Sequence, residues 1–364
     1  MQPSIFIVID STDKGGAERV VSQLANYWAA NGRRVFLLTF ESSNSNLFFD
    51  LDSKVDYRLM GKLYPILSLK GSGFLTEILK NILRVFYLRN EIKKTMVPGD
   101  IVISFLSHSN FVSVLATRRL PISLIVSERI YPAFAIGFLG RALRRVLYPL
   151  ANTIVVMTSQ AAEYFPKSWK KKIRIIPNPL LLPTDFSSSR NKKPWILGVG
   201  RLVEQKRFDL LIRAFSKVSA PYPEWKLKIA GEGSKRNELQ ALIRELHLSD
   251  RVELIGFQEL IWPLYSEAEI FAMTSSFEGF PNALAEAMAC GLSVIATDCL
   301  SGPRDLIQSG ENGLLIPTGD AGALEAALLL LISNQSLRLK FAEDAKKISK
   351  ALDISKIAKQ WEMI

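Results

Sequence analysis

Two glutamates with different surroundings stand eight positions apart in the stretch "SSFEGFPNALAEAMACG" (275–291). Glu278 is next to a Gly-Phe-Pro cluster that breaks regular structure, whereas Glu286 lies among alanine, leucine and methionine, as in a buried helix. A carboxylate buried on such a helix is costly unless a partner compensates for its charge. The pattern predicts a ligand-holding pair. The alternatives are a basic or backbone partner for Glu286 and a plain loop charge for Glu278.

Two cations, Arg201 and Lys206, closely follow the apolar segment "WILGVG" (195–200), which we expect to be a strand. Cations at the carboxyl end of a strand can bracket a diphosphate, arginine with two parallel hydrogen bonds and lysine as a point charge. The alternative is a solvated basic turn. The next expected strand ends in "AGEG" (230–233), where Gly231 would allow a ligand to approach the backbone closely.

A glycine pair, Gly15 and Gly16, follows the first apolar segment in "STDKGGAERV" and opens a predicted helix at 17–31. Backbone amides and the helix dipole at such a start can face an anion. The spacing is not G-x-G-x-x-G, which counts against a nicotinamide cofactor. The alternative is an ordinary glycine-rich turn.

Short apolar segments alternate with amphipathic ones along the chain, which predicts an α/β fold with parallel sheets covered on both faces. In the first half the expected strands are 4–10, 34–40, 100–106, 123–128 and 153–158. In the second half they are 195–200, 225–231, 252–256, 270–275, 293–297 and 313–317. The helices expected in the second half are 206–219, 234–247, 261–268, 282–290 and 320–332.

The domain organisation follows from length and from one interruption. A chain of 364 residues is too long for one ordinary core, and the Pro-, Ser- and Lys-rich segment 178–195 reads as a linker. We predict two Rossmann-like domains, 1–178 and 179–345, and a C-terminal helix, 346–364, as a candidate to pack back on the first domain. Because ligands of open parallel sheets bind beyond the carboxyl ends of the strands, the expected site is a central cleft that both domains face.

These motifs together resemble the retaining glycosyltransferases of family 4. Glu278 and Glu286 match the E-x7-E motif of that family, with its E-G-F-P beginning. Further similar blocks occur in the family's order over nearly the whole chain: G-G-A-E (15–18), "GVGRLVEQKRFDLLIRAF", "AGEG", "SGPRDLI" (301–307) and "ENGLLIP" (311–317). The resemblance implies a GT-B fold, with an acceptor domain first and a nucleotide-sugar donor domain second. G-G-A-E and "VSER" are similar to sequences of bacterial polysaccharide, O-antigen and glycan-precursor enzymes.

The resemblance also implies roles for individual residues. Arg201 and Lys206 would clamp the donor diphosphate, Glu286 would take the ribose hydroxyls, and Glu278 would face the donor sugar near its reacting carbon. The remaining implied donor contacts come from glycine turns and from the start of the second-half helix: Gly15, Gly16, Gly231, Gly279, Phe280, Pro281 and Asn282. No clustered Asp or His metal site is apparent, and the family implies metal-independent transfer without a cofactor.

On the acceptor side, many members of the family carry a histidine shortly after the strand equivalent to 123–128, where this chain has Arg129 in "SERIYP". The candidate acceptor residues are Glu128, Arg129 and His108, the last of which follows the strand at 100–106. In a front-face retaining transfer, the leaving phosphate can take the acceptor proton, so the resemblance requires no side-chain base.

The net charge of +11 is confined to the first half of the chain. Residues 1–178 carry 24 Lys and Arg against 12 Asp and Glu, whereas residues 179–364 carry 22 against 23. A basic domain predicts an anionic partner. Within it, 137–149 and 74–94 place apolar residues at helical spacing among basic ones, as in helices that lie in an anionic headgroup layer. The alternative is that both apolar stripes face the core.

No secretory leader or spanning run of apolar residues is evident, and the two cysteines, Cys290 and Cys299, make no zinc spacing. The family resemblance implies a hexosyltransferase, and we predict that it is cytoplasmic and peripheral on the inner face of the cytoplasmic membrane. It would move a sugar from a nucleotide sugar, UDP-hexose or UDP-N-acetylhexosamine, with GDP as the other carrier. The acceptor would be a growing polyprenyl-diphosphate-linked saccharide in cell-surface polysaccharide or glycan biosynthesis.

Three other functions stay open at this point. A nucleotide-sugar epimerase of the same fold would need no acceptor. A non-catalytic nucleic-acid-binding protein would fit the basic half, but no recognised nucleic-acid motif occurs, and we expect no nucleic-acid partner. A nicotinamide oxidoreductase is the third, and the glycine spacing counts against it.

Overall fold

The computed structural model describes residues 2–12, 15–41, 49–64, 74–183, 186 and 192–364, with the backbone alone at 74 and 75. The chain forms two compact units. Unit 1 comprises Met1–Pro179 with Ile354–Ile364, and unit 2 comprises Leu180–Asp353. Part of the predicted linker 178–195 lies outside the described residues, and strand structure resumes at Lys193.

Unit 1 is built on a parallel sheet of seven strands in the order β3-β2-β1-β4-β5-β6-β7. The strands are β1 (Ile5–Ile9), β2 (Val35–Thr39), β3 (Val55–Leu59), β4 (Ile101–Phe105), β5 (Ser123–Ser127), β6 (Thr153–Val156) and β7 (Ile173–Ile175). The described helices before the linker are α1 (Gly16–Ala30), α2 (Met60–Leu63), α3 (Phe74–Thr95), α4 (Ser107–Thr117), α5 (Phe138–Leu147) and α6 (Ser159–Glu163).

Both faces of this sheet are buried, as the continuous apolar strands predict. Along β1, Ile5, Ile7 and Ile9 pack on the face that α1 covers. Phe6 and Val8 pack on the opposite face, with residues of α3, α4 and α5. The two helices with predicted apolar-basic patterns, α3 and α5, therefore lie on one face of the sheet.

Unit 2 repeats the architecture with a parallel sheet of six strands in the order β10-β9-β8-β11-β12-β13. The strands are β8 (Lys193–Val199), β9 (Lys226–Ala230), β10 (Val252–Gly256), β11 (Ala268–Met273), β12 (Ser293–Thr297) and β13 (Leu314–Ile316). The helices are α7 (Phe208–Val218), α8 (Arg236–Glu245), α9 (Trp262–Glu267), α10 (Asn282–Ala289), α11 (Pro303–Leu306), α12 (Ala321–Ser333), α13 (Gln335–Ala345) and α14 (Ile348–Ala351).

The chain returns to unit 1 with α15 (Ile354–Glu362), which packs on the face of the sheet that α1 covers. Trp361 is buried with its ring centroid 5.6 Å from that of Phe105, and Trp28 Nε1 donates to Glu362 Oε1 at 2.8 Å. The segment expected to pack back was 346–364. In the structure, residues up to Asp353 belong to unit 2, so the return begins at 354.

The predicted fold class, an α/β protein with two Rossmann-like domains, is confirmed. The strands that the sequence analysis missed, β3 and β7, are the two edges of the sheet in unit 1. Edge strands face solvent and carry charged residues, here Asp56 and Arg58 in β3 and Arg174 in β7, so they lack the apolar run that marked the others. Across the described ranges, none of the helices combines the length and apolar character needed to cross a bilayer.

Candidate functional site

The candidate donor site lies where the strand order of unit 2 changes direction. From β8 the order runs outward through β9 and β10, and from the neighbouring β11 it runs the other way through β12 and β13. Such switch points are the usual ligand sites of open parallel sheets. Arg201 and Lys206 follow β8 and Glu278 follows β11, so strand adjacency brings the segments carrying these predicted residues to one edge.

Lys206 and Glu278 form an ion pair, with Nζ 2.6 Å from Oε1. The Glu278 side chain is only 8% exposed, and Lys206 supplies the compensating charge that a buried carboxylate needs. Two further bonds hold the same segments together: Gln205 Nε2 donates to Phe277 O at 2.7 Å, and the amide of Ser276 donates to Gln205 O at 2.8 Å. Glu278 is therefore a loop residue that an ion pair fixes in place, and its contact with a donor sugar stays a prediction.

Arg201 differs from Lys206 in its surroundings. Its side chain is exposed, and no acidic group among the described residues pairs with it. Together, Arg201, Lys206 and Glu278 carry a net charge of about +1 at neutral pH. This edge of unit 2 therefore presents one uncompensated cation beside an ion pair, an arrangement suited to an anionic ligand.

Gly231, the first glycine in "AGEG", is required by the structure for a reason other than the predicted approach of a ligand. Gly231 has a φ of +145°, and a Cβ there would overlap the carbonyl oxygen of Gly200. The two turns are bonded to each other, because Gly200 N donates to Ala230 O at 3.0 Å and Leu202 N donates to Glu232 O at 2.8 Å. Gly231 therefore permits the close approach of protein backbone, and its contact with a ligand stays a prediction.

The "EGFP" segment is held by the loop that follows β12. The amide of Glu278 donates to Leu300 O at 2.8 Å, and Ser301 Oγ donates to Gly279 O at 3.2 Å. Gly302 has a φ of +111°, and a Cβ there would overlap the ring of Pro281. This support positions the N-terminus of α10. Around it, Phe280 and Pro281 are buried, whereas Gly279 and Asn282 remain half-buried.

Glu286, the fifth residue of α10, is buried and accepts a hydrogen bond from Tyr265 Oη at 3.1 Å. Tyr265 lies in α9, is fully buried, and also donates to Ala283 O at 3.3 Å. The sequence analysis missed this residue. The available signal was a tyrosine in an apolar segment, because a buried phenol usually requires a hydrogen-bond partner.

Neither cysteine near the site is a nucleophile. Burial raises the pKa of Cys290 to about 12, and the nearby Glu286 carboxylate adds to the increase. Burial likewise raises the pKa of Cys299 to about 12, with Glu278 as the second cause. Both thiols therefore stay protonated at neutral pH and are unreactive.

The glycine pair of unit 1 lies at the start of α1, with Gly15 as the N-cap residue and Gly16 as the first helical residue. A Cβ on Gly15 would overlap the carboxylate of Glu18, which therefore lies over the helix start. An acid in the first turn offsets part of the positive end of the helix dipole. The preceding Asp13 and Lys14 lie outside the described residues. Contact of Gly15 and Gly16 with a phosphate stays a prediction.

His108 lies in the first turn of α4, beside the carboxyl end of β1. Its Nδ1 is 2.7 Å from Asp10 Oδ1, and its Nε2 is 2.8 Å from Asn81 Oδ1 and 3.1 Å from an Nη of Arg84. The His108 side chain is 39% exposed. Asp10 was not singled out from sequence, because its partner lies 98 positions away and only the adjacency of β1 and β4 brings them together.

Glu128 and Arg129, the other two candidate acceptor residues, are buried, and their contact with an acceptor stays a prediction. Glu128 Oε1 is 3.1 Å from Arg144 Nε, and the carboxylate also accepts from Tyr148 and from Ser107 Oγ. Burial raises the pKa of Glu128, and the charge of Arg144 opposes this increase.

Arg129 is enclosed differently from Glu128. Its guanidinium donates to Asn178 and lies 5.3 Å from the centre of the Phe105 ring. Burial lowers the pKa of Arg129 to about 9. Both side chains after β5 therefore serve the interior of unit 1 rather than an exposed surface.

In the described part of the chain, no group of three or more His, Cys, Asp or Glu side chains is arranged to hold a metal ion. Metal-independent transfer stays a prediction from the family resemblance.

Two family models cover most of the chain. Residues 14–180 match the model for Glycosyltransferase Family 4, and residues 184–348 match the model for Glycosyl transferases group 1. A Campylobacter jejuni protein is 30% identical over 374 residues, which cover 97% of this chain and 96% of that protein. The chain belongs to glycosyltransferase family 4.

That relative is named N-acetylgalactosamine-N,N'-diacetylbacillosaminyl-diphospho-undecaprenol 4-alpha-N-acetylgalactosaminyltransferase. A second C. jejuni protein, named GalNAc-alpha-(1->4)-GalNAc-alpha-(1->3)-diNAcBac-PP-undecaprenol alpha-1,4-N-acetyl-D-galactosaminyltransferase, is 28% identical and covers 98% of this chain and 96% of its own length.

Among solved structures, Anabaena Alr3699/HepE in complex with UDP has the same fold, with a TM-score of 0.76, 19% identity and 98% of both chains covered. The predictions of the family, the GT-B fold and a glycosyltransferase activity are therefore confirmed. The roles of individual residues remain predictions.

Proposed function

We propose that this family 4 enzyme is a retaining hexosyltransferase that uses a UDP-sugar as donor and a polyprenyl-diphosphate-linked saccharide as acceptor. Its product would be a precursor of a cell-surface polysaccharide or glycan. The observation that carries the proposal is the Lys206–Glu278 ion pair beside the exposed Arg201, at the strand switch point of unit 2. This arrangement provides fixed charge for a diphosphate together with a carboxylate for the sugar.

The leaving group would be stabilised by cations that are already in place. Arg201 would bind the diphosphate by donating two parallel hydrogen bonds. Lys206 would contact it as a point charge while keeping its bond to Glu278, because an ammonium has three donors. The N-terminus of α10 adds the positive end of a helix dipole. Such preorganised charge favours the transition state, in which negative charge builds up on the departing UDP.

The two carboxylates would contact different parts of the donor. Glu278, held by Lys206, would face the donor sugar near the anomeric carbon and accept hydrogen bonds from its hydroxyls. Glu286 would accept from the two ribose hydroxyls, since a carboxylate has two oxygens for a vicinal diol. The acceptor hydroxyl would attack from the face that UDP leaves and pass its proton to the departing phosphate, which preserves the anomeric configuration.

Support for the donor and the acceptor comes from the relatives described above. Both C. jejuni proteins are named as N-acetylgalactosaminyltransferases that form an α-linkage on an undecaprenol-diphosphate saccharide. The structural neighbour was solved with UDP. These names favour UDP over GDP and an N-acetylhexosamine over an unsubstituted hexose.

Membrane attachment would come from the outward face of α5. On this helix Phe138, Leu139 and Val146 are 82%, 73% and 68% exposed, and Ala142 and Leu143 lie on the same side. Of the residues in the predicted stripe, only Leu147 is buried. Arg141 and Arg145 are exposed along one edge of this apolar face. A surface helix of this kind fits the boundary between headgroups and acyl chains of an anionic bilayer.

Helix α3 offers a second apolar face over its first half, where Ile78, Leu79, Ile82 and Phe86 are exposed. Its second half packs in the core of unit 1 through Leu88 and Ile92, so only part of the predicted stripe faces solvent. With the positive charge of unit 1, these faces support a peripheral enzyme on the inner face of the cytoplasmic membrane.

The transfer reaction is tested by incubating the enzyme with single UDP- and GDP-sugars and a short-chain polyprenyl-diphosphate disaccharide. We expect an α-linked product from a UDP-N-acetylhexosamine, identified by NMR of its anomeric proton. Glu278→Gln should lose turnover by about 100-fold or more, whereas Glu224→Gln, an exposed residue before the amino end of β9, should not. A β-linked product, or sugar epimerisation without transfer, would overturn the proposal.

Membrane attachment is tested by flotation with vesicles that contain phosphatidylglycerol. The double variant Leu139→Ser, Val146→Ser should float poorly. Its control is Leu329→Ser, Leu330→Ser on α12 of unit 2, where two leucines are 44% and 43% exposed. Equal flotation of both variants and the parent would contradict a role for α5.

A further inference from the structure

A short segment of unit 1 that the sequence analysis did not single out concentrates positive charge. Residues 167–174 form a 3₁₀ turn, Lys167–Lys172, and the beginning of the edge strand β7. We call this segment the basic edge. It contains five cations in eight positions: Lys167, Lys170, Lys171, Lys172 and Arg174.

The basic edge is attached to the end of α5. Lys172 Nζ donates to Pro149 O at 2.6 Å and to Ala151 O at 2.8 Å, and both carbonyls lie in the turn that immediately follows α5. Trp169 is half-buried and stacks on Phe165, with ring centroids 5.8 Å apart. Lys172 and Trp169 therefore fix the segment beside the turn that ends α5.

The other four cations of the basic edge are exposed: Lys167, Lys170, Lys171 and Arg174. Within the described part of the chain, no acidic side chain forms an ion pair with any of them, and Arg174 is bonded only to the carbonyls of Lys171 and Ile173. Like charges held close together repel one another, so this segment gains no stability from its composition. Its charge is available to an external anionic surface.

We propose that the basic edge binds anionic phospholipid headgroups and is the electrostatic part of a membrane-docking surface whose apolar part is the outward face of α5. This inference rests on the membrane attachment proposed above and extends it. An amphipathic helix alone inserts into neutral and anionic bilayers alike, whereas each cation near an anionic surface strengthens binding by about fivefold. The basic edge would therefore select the anionic leaflet.

The position of the basic edge at an edge strand offers one other explanation for its exposed lysines. Lysines on an edge strand can prevent pairing with the edge strand of another molecule. Removal of the charge would then promote association of the protein with itself and leave its binding to lipid unchanged. A nucleic acid is the other anionic surface that such a segment could meet.

The test is the triple variant Lys167→Gln, Lys170→Gln, Lys171→Gln, which keeps the buried contacts of Lys172. We expect its partition onto phosphatidylglycerol vesicles at low salt to fall about 100-fold and to depend less on salt than that of the parent. Its partition onto phosphatidylcholine vesicles and its activity on a water-soluble acceptor should be unchanged. The matched control removes three exposed lysines elsewhere, Lys340→Gln, Lys350→Gln, Lys356→Gln, and should bind as the parent does.

The outcomes separate this inference from the proposals it extends. If the parent binds anionic vesicles and the triple variant binds equally well, the role of the basic edge is wrong although membrane attachment stands. If the parent binds no vesicles, membrane attachment itself fails, and transfer to the soluble acceptor still reports on the proposed reaction. Self-association of the variant with unchanged lipid binding, or loss of heparin binding alone, would also overturn the inference.

Discussion

Helices α5 and α10 each carry one charged residue into the interior, yet the rest of each helix is arranged in opposite ways. In α10, Glu286 is buried together with the apolar residues around it. In α5, the buried residues are Arg144 and Leu147, and the apolar face points to solvent. The same kind of observation, a buried charge, therefore has two different causes in one chain.

The partners explain the difference. Arg144 meets the carboxylate of Glu128 and donates to Pro132 O at 2.8 Å, so it attaches α5 to the end of the sheet while the apolar face stays outward. Glu286 accepts a hydrogen bond from the hydroxyl of Tyr265, which is a neutral donor. The contacts of Arg144 therefore fix α5 to the rest of unit 1, whereas the bond from Tyr265 orients a carboxylate for which we propose a ligand role.

The largest expected effect is on stability and concerns the buried pair of Arg144 and Glu128. Arg144→Met would leave Glu128 buried without its cation, which typically costs about 3 to 5 kcal/mol. We expect this loss in the free energy of unfolding, measured by urea denaturation. The exposed Arg145→Met on the same helix is the control and should change stability by less than about 0.5 kcal/mol. Similar values for both variants would contradict a structural role for Arg144.

The next largest effect is on donor binding and concerns Glu286. Glu286→Ala would remove the acceptor for the ribose hydroxyls and weaken donor binding by about 3 kcal/mol, or roughly 100-fold. Calorimetry should report this loss for UDP but not for 2',3'-dideoxy-UDP, which lacks the hydroxyls. An equal loss for both nucleotides would place Glu286 elsewhere than at the ribose.

A smaller effect is expected from the residue that orients Glu286. Tyr265→Phe keeps the aromatic packing but removes the hydroxyl, so the donor KM should rise about tenfold while kcat changes little. The discrimination between UDP and its dideoxy form should fall in the same proportion. Trp262→Phe, a neighbouring aromatic of α9, is the control. A fall in kcat at constant KM would argue against orientation of Glu286 by Tyr265.

The smallest effect tests a half-buried cation, Lys192, that donates to a neutral partner. Lys192 Nζ donates to Ala268 O at 2.9 Å, and burial lowers its pKa from 10.5 to about 8. Between these values the unfolded chain binds more protons than the folded one, so this lysine makes stability rise with pH. Lys192→Met should therefore stabilise the protein near pH 7, less the contribution of the lost bond to Ala268 O, and should stabilise it by less near pH 10. A stability difference that does not depend on pH would refute the assignment.

The sequence predicted the central strands closely because parallel strands buried on both faces are continuous apolar runs. The expected strands 4–10, 34–40 and 100–106 correspond to β1, β2 and β4, each shortened by one residue at both ends. Edge strands such as β7 do not carry this signal. Periodicity predicted the helix at α5 but not its orientation, because an apolar stripe can face a core or a membrane equally well.

The candidate site was only partly predictable for a related reason. Motif spacing identified Glu278 and Glu286, and position after a strand identified Arg201 and Lys206. The contact between Lys206 and Glu278 spans 72 positions and depends on β8 lying beside β11. Strand order is a property of the whole sheet, so neither this ion pair nor the bond from Tyr265 to Glu286 follows from local pattern.

Unit 1 is the last part of the described fold that can be completed during synthesis, because α15 is its final element and the last of the described chain. The ribosome makes β1 to β7 first, but Ile357 and Trp361, which cover part of that sheet, follow only after all of unit 2. At ordinary translation rates, this part of the sheet stays uncovered for on the order of 10 s. During this interval unit 2 can complete its own core, so the part of the enzyme made second is the first that can be finished.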